Sequence, residues 1–185
     1  MSILELLGLA KADAEVEVRA GGSATVRRIV GELQAMDPEQ ARYLAAFAYV
    51  LSRTAHADLS ISATETRKME ELVTRFGDLA KEKARLVVEI AKSQALLFGG
   101  TADFVVTREF KQISTVTQRT ELLHCLFAVS AADDSISSAE EEEVRQIARE
   151  LGFCHRDYIA VRSEYNHLRE VMKGLPKGSP PAAPG

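Results

Sequence analysis

The chain contains the motif Ala132-Asp133-Asp134-Ser135-Ile136-Ser137-Ser138-Ala139-Glu140 and an earlier copy, Ala57-Asp58-Leu59-Ser60-Ile61-Ser62-Ala63-Thr64-Glu65. The copies lie 75 residues apart, and the same offset pairs Leu51 with Leu126 and Gly77 with Gly152. Apolar positions also match: Met69 with Val144, Leu72 with Ile147 and Phe76 with Leu151. A fixed period is typical of a repeated structural unit. The sequence therefore predicts two helix-turn-helix units fused in one chain.

Each copy of the motif carries the signature of a helix start. Ser62 to Glu65 and Ser137 to Glu140 read S-x-x-E, in which the serine accepts from a free amide and the glutamate reaches back. Gly77 and Gly152 follow the last apolar position of each helix, where a glycine commonly ends the helix. We therefore expect each motif to be a turn that opens a capped helix.

The remaining apolar patterns are also helical. Asp37-Pro38-Glu39 predicts a helix start, and that helix should run to about Thr54. Asp78 is expected to cap a long helix over residues 79–96, whose wide apolar stripe favours the centre of the bundle. A last helix is expected over residues 157–172. Because no alternating strand pattern of useful length occurs, the fold class predicted is all-α.

Length and composition predict one domain with short tails. The 185 residues divide into a weakly ordered arm over residues 1–22, a helical domain over 23–173 and a proline- and glycine-rich tail over 174–185 that should be disordered. With 46% hydrophobic and 27% charged residues, the chain has enough apolar material for a core. The arm carries apolar residues from Ile3 to Leu9 and could dock on another chain.

Charge and cysteine usage narrow the class of partner and the compartment. A net charge of −4 argues against nucleic acid, which favours a basic face. No apolar stretch reaches the length of a membrane span, and the N-terminus lacks the pattern of a secretory signal. Cys125 and Cys154 fit no paired-ligand pattern, and each is predicted to be a small buried side chain. These features favour a cytoplasmic protein.

The motif also invites comparison with a calcium-binding EF-hand loop. With Ile61 and Ile136 at the eighth position of that loop, the carboxylates of Asp58 and Asp133 fall on the fifth position. Those of Glu65 and Glu140 fall on the twelfth. Leu59 and Asp134 replace the glycine that makes the sharp turn. Each loop keeps about half of the ligands, so the interpretation as a metal site predicts only weak binding of a divalent cation.

The alternative interpretation is that these residues only cap and turn the chain. The serines and glutamates would then form capping boxes, and the aspartates would bond turn amides. The acidic run from Glu140 to Glu143 suits the start of a helix and is more typical of a solvated face than of a site. Both interpretations remain open at this point. No nucleophile and base pair stands out, so no catalytic residue and no enzyme activity is predicted.

The pattern A-D-x-x-I-S-x-x-E, with Leu151-Gly152-Phe153 after the second copy, resembles the TerB family of tellurite-resistance-associated proteins. A TerB-like domain is also found in the DjlA co-chaperone. The resemblance covers about residues 23–170 and implies an all-α bundle of about seven helices with internal pseudo-twofold symmetry. It also implies a cytoplasmic stress-response association and acidic residues that bind a divalent metal such as Ca²⁺ or Mg²⁺. Those residues would here be Asp58, Glu65, Asp133 and Glu140.

Two functions follow as hypotheses. The first is a non-enzymatic interaction or scaffold domain that binds a protein partner, with a homo-oligomer left open. The second is a metal-binding or metal-sensing domain that uses the acidic loops. No organic cofactor is expected under either hypothesis.

Overall fold

The computed structural model describes residues 22–54, 63–97, 103–132 and 134–169. Eight α-helices and one short 3₁₀-helix occur in these ranges, and the only strand-like pairing there is an isolated bridge between Ile136 and Arg169. The all-α prediction is confirmed. The helices are α1 (Gly22–Gln34), α2 (Pro38–Ser52), α3 (Ala63–Phe76), α4 (Lys81–Leu97), α5 (Asp103–Ile113), α6 (Val116–Ser130), α7 (Ser138–Leu151) and α8 (His155–Glu164), with the 3₁₀-helix at Asn166–Leu168.

Helix α2 lies at the centre of the bundle. Its start is the predicted one, because Asp37 Oδ1 accepts from the amides of Glu39 at 3.0 Å and Gln40 at 3.2 Å, with Pro38 in the first turn. Every residue from Leu44 to Ser52 is buried, and α2 packs against α1, α4, α5 and α6. A helix that is apolar on all sides must be enclosed. The expectation that the helix of residues 79–96 takes the central place is therefore wrong, since α4 exposes Lys81, Glu82 and Arg85.

The junction between α3 and α4 differs from the prediction in its details. Helix α3 ends before Gly77 as expected, but the left-handed residue there is Asp78, with φ of 47°, and not the glycine. Gly77 is needed for close packing instead, because a Cβ atom there would lie 3.2 Å from Phe47 Cζ and 3.3 Å from Cys125 Sγ. Asp78 does not cap α4, which begins three residues later at Lys81.

The C-terminal part of the bundle also departs from the sequence pattern. Helix α8 ends at Glu164, so the helix predicted for residues 157–172 is wrong in its second half. The amide of Ile136 donates to the Leu168 carbonyl at 2.9 Å, and Arg169 takes an extended conformation next to the motif. The Leu168 carbonyl thus bonds to the motif loop, and the chain there does not continue the hydrogen bonds of α8. The predicted arm over 1–22 and tail over 174–185 lie outside the described residues, apart from Gly22.

Aromatic side chains fill the core between the helices. Phe47, Phe110 and Phe127 are fully buried, and Phe127 stacks on Tyr165 with ring centroids 5.2 Å apart. Cys125 is buried among them, as predicted, and burial raises the pKa of its thiol. Cys154 is exposed, so the prediction of a buried side chain is wrong there. It stands just before α8, where the chain turns at the surface.

Candidate functional site

The second motif loop forms a tight turn between α6 and α7. Asp134 has a left-handed backbone with φ of 64°, and its amide donates to the Ala131 carbonyl at 2.9 Å. Aspartate tolerates this conformation better than most residues. The sharp turn is therefore present although Asp134 replaces the glycine of the EF-hand loop. Ile136 is buried, with 1% of its surface exposed, and anchors the loop in the core.

Glu140 is part of the predicted capping box. Its Oε2 accepts from the Ser137 amide at 2.8 Å and from Ser137 Oγ at 2.7 Å, and its own amide donates to Ser137 Oγ at 3.2 Å. Gly152 ends the same helix in a left-handed conformation with φ of 86°. The cap interpretation is thus confirmed for Ser137, Glu140 and Gly152.

The other proposed metal ligands cannot be placed beside Glu140. Asp58, Asp133 and the side chain of Glu65 lie outside the described residues, so the metal-ligand set stays a prediction. Among the side chains that the structure describes, no group of histidine, cysteine, aspartate or glutamate is arranged to hold a metal. Lys68 of α3 donates a hydrogen bond from its Nζ to the Ala132 carbonyl, which puts a positive charge beside the second loop.

Glu141, the residue after the capping glutamate, is a buried carboxylate. Arg169 donates from Nε to Glu141 Oε2 at 2.6 Å and from Nη2 to Oε1 at 2.8 Å. Arg162 donates to Oε1 at 3.2 Å, and Arg145 lies 3.4 Å from it. Burial raises the pKa of Glu141, but the hydrogen bonds of Arg169 and the charges of all three arginines outweigh it and lower this pKa. The cluster attaches the end of α8 and the chain after it to α7.

Arg53 forms a second buried cluster at the end of α2. Its Nη1 donates to Glu150 Oε2 at 2.6 Å and to Thr107 Oγ1 at 2.8 Å, and its Nε donates to Glu143 Oε1 at 2.9 Å. Burial raises the pKa of Glu150, and the hydrogen bond from Arg53 with other donors reverses this shift and lowers it. One guanidinium group therefore holds α2, α5 and α7 together.

The acidic run is only in part a solvated face, because Glu141 is buried whereas the side chains of Glu142 and Glu143 are 57% and 38% exposed. Glu140 caps α7, Glu141 and Glu143 bind the buried arginines, and Glu142 pairs with Arg145 at 2.8 Å. A sequence signal did exist for Glu141, which stands three residues before Val144 on the buried stripe of α7. No local pattern pointed to Arg53 or Arg169, because their partners are distant in the chain.

Two open clefts occur on the described surface. One, of about 480 Å³, lies between α5, the start of α6 and the end of α7, and its lining is basic: Arg108, Lys111, Gln112, Arg119, Arg149 and Glu150. The other, of about 510 Å³, lies on α3 and the start of α4 and has mixed charge: Arg67, Glu70, Glu71, Thr74, Arg75 and Lys81. We call the cleft between α5, α6 and α7 the basic cleft. No local pattern in the sequence indicates this cleft, since its residues come from three helices.

The fold and the loop together define an all-α bundle domain in which a tight acidic turn joins two helices. A family model described as "Tellurite resistance protein TerB" matches residues 44–163, from α2 to α8 and across both motif copies. The chain therefore belongs to the TerB family, which is not generally known as an enzyme family. No curated protein and no solved structure matches it. Among the described helices, none is long and apolar enough to cross a membrane.

Proposed function

We propose that this chain is a non-enzymatic interaction domain of a cytoplasmic bacterial stress response of the tellurite-resistance type. Membership of the TerB family supports the stress-response part, because tellurite resistance is what the family description names. The interaction part rests on the surface made by α5 and the start of α6. Here two exposed valines accompany a cleft with three arginines, namely Arg108, Arg119 and Arg149.

The two valines carry the argument. Val105 is 50% exposed and Val116 is 65% exposed, and they are the large apolar side chains left exposed in the described part of the chain. They stand in the first turns of consecutive helices. Protein interfaces combine such apolar contacts with arginine and a polar rim. The buried side of α5 is fixed to the rest of the bundle, because Arg53 of the α2 end binds Thr107 of α5 and Glu150 of α7.

The test is a site-specific crosslink. A photoreactive amino acid at position 105 is placed in the full chain in cells exposed to tellurite, and the crosslinked protein is identified and purified. Calorimetry should then show a complex that Val105→Asp/Val116→Asp weakens strongly. The control variant Ala80→Asp/Ala160→Asp adds the same charge at two other exposed positions and should leave affinity unchanged.

Equal affinity in both double variants would contradict the proposed surface. A variant lacking residues 1–21 separates the arm from the bundle, since loss of binding only in that variant would assign the contact to the arm. A crosslink solely to a second copy of the chain would make the partner a homo-oligomer.

The second candidate function is divalent-metal binding by Asp58, Glu65, Asp133 and Glu140. The observation that favours it is the left-handed backbone of Asp134, which supplies the sharp turn that the EF-hand loop takes at its sixth position. The ion would compete with Ser137 for the Glu140 carboxylate, so binding would be weak. Ca²⁺ or Mg²⁺ fits an all-oxygen set of this kind.

A further inference from the structure

The basic cleft concentrates positive charge on an otherwise acidic protein. Four cationic side chains line it, Arg108, Lys111, Arg119 and Arg149, whereas the whole chain has a net charge of −4. The acid in the lining, Glu150, does not neutralise them, because its carboxylate already binds Arg53 at 2.6 Å and Gln146 at 3.0 Å. The cleft therefore presents a positive potential to its surroundings.

Two of the four cations, Arg119 and Lys111, lie against the C-terminal end of α7. Arg119 donates to the Leu151 carbonyl at 3.1 Å, and Lys111 lies directly over Gly152. Carbonyl groups at a helix C-terminus attract such side chains. Arg149 is different, since its nearest carboxylate is on exposed Glu142 at 4.0 Å. Arg108 forms no ion pair with any residue in the described ranges. Within the described part of the chain, no carboxylate lies closer than 4.0 Å to either guanidinium group.

Two exposed aliphatic side chains stand on the helices that supply Arg108 and Arg119 to the cleft. Val105 precedes Arg108 by three residues on α5, and Val116 precedes Arg119 by three residues on α6. Residues with this spacing are neighbours on a helix surface. Helices α5 and α6 therefore each present an exposed valine next to an arginine of the cleft.

We propose that the basic cleft binds an acidic segment of a partner protein in which pairs of carboxylates alternate with pairs of aliphatic side chains, so that one face of the extended segment carries both kinds. Guanidinium groups bind carboxylates through paired, charge-assisted hydrogen bonds, and the valines would contact the aliphatic residues. Nucleic acid fits less well, because the lining contains no aromatic ring for base stacking and the chain is acidic overall. This inference rests on the proposed interaction function and names the chemistry of the partner.

The experiment measures the fluorescence anisotropy of a labelled peptide of about ten residues with the repeat Glu-Glu-Val-Val, which can extend over roughly 33 Å. The full chain should bind it, and Arg108→Glu/Arg149→Glu should weaken binding about tenfold or more. The matched control Arg85→Glu/Arg156→Glu changes charge equally at exposed positions outside the cleft and should bind as the unchanged chain does. The same peptide with Gln in place of every Glu should not bind.

Equal weakening by both double variants would overturn the proposal, since binding would then follow net charge alone. Preferential binding of single-stranded RNA, or of inorganic phosphate, in the cleft would also overturn it. Circular dichroism of the Arg108→Glu/Arg149→Glu variant shows that loss of binding is not loss of fold. If the partner crosslinked at position 105 binds this variant normally, the cleft inference fails while the interaction function stands.

Discussion

Arg169 binds Glu141 through two hydrogen bonds, at 2.6 and 2.8 Å, although 28 residues separate them in the chain. Next to this pair the Ile136 amide donates to the Leu168 carbonyl. The chain after α8 is thereby attached to the motif loop and to the helix that the loop opens. Both side chains are buried, so the pair is protected from solvent screening.

We expect Arg169→Met to destabilise the protein by about 1.5–3 kcal/mol, the range for hydrogen bonds to a charged group. Arg162 and Arg145 still neutralise Glu141, so the full cost of an isolated buried charge should not appear. Urea unfolding measures the loss, and hydrogen exchange at the Ile136 amide should accelerate. The control Arg156→Met removes an exposed arginine and should leave the midpoint unchanged. An unchanged midpoint for Arg169→Met would show that the pair does not stabilise the fold.

Acid should destabilise the bundle through Glu141 and Glu150. Their pKa values are lowered in the folded protein from an ordinary value of 4.5, so the unfolded chain binds protons more readily. The stability from these pairs is complete above that value and is lost as the pH falls below it. Urea unfolding between pH 7 and pH 3 should show this decline, and Glu141→Gln should reduce its slope. Glu71→Gln, at an exposed position, should keep the slope of the unchanged protein.

Two glycines should respond oppositely to alanine. A Cβ atom at Gly77 meets Phe47, Cys125 and the backbone oxygen of Val73, so Gly77→Ala should destabilise by about 1–3 kcal/mol through overpacking. Nothing lies within 4 Å of a Cβ atom at Gly31 in α1, so Gly31→Ala should stabilise by about 1 kcal/mol through helix propensity. Thermal melts of both variants test this. Stabilisation by Gly77→Ala would mean that the α2–α6 packing around it yields easily.

A metal site in the motif loops should appear as a shifted melting temperature. A cation at about 100 times its dissociation constant adds about 2.7 kcal/mol to the stability. The protein is melted in EDTA, Ca²⁺ and Mg²⁺ beside Asp133→Asn/Glu140→Gln, in which the introduced glutamine can still complete the capping box. A rise specific to one cation and absent in the variant identifies the loop as a ligand site. Identical melts in every solution would leave Glu140 as a cap alone.

Local signals in the sequence were sufficient for the helix starts at Asp37 and Ser137 and for the helix end at Gly152. Each of these depends on hydrogen bonds or a backbone conformation within about four residues. The repeated motif was likewise sufficient for the family, which the match over residues 44–163 confirms. The pseudo-symmetry of the two units stays a prediction, because the first motif loop lies outside the described residues.

Tertiary structure alone decided which charges are buried and where the last helix ends. Arg53 and Glu150 are 97 residues apart, and no periodicity within either segment records that they meet. Helix α8 stops at Glu164 because the following residues bond to the motif loop instead of extending the helix. The basic cleft likewise exists only where α5, α6 and α7 converge. Caps act within one turn of chain, whereas ion pairs and clefts depend on how separate helices pack.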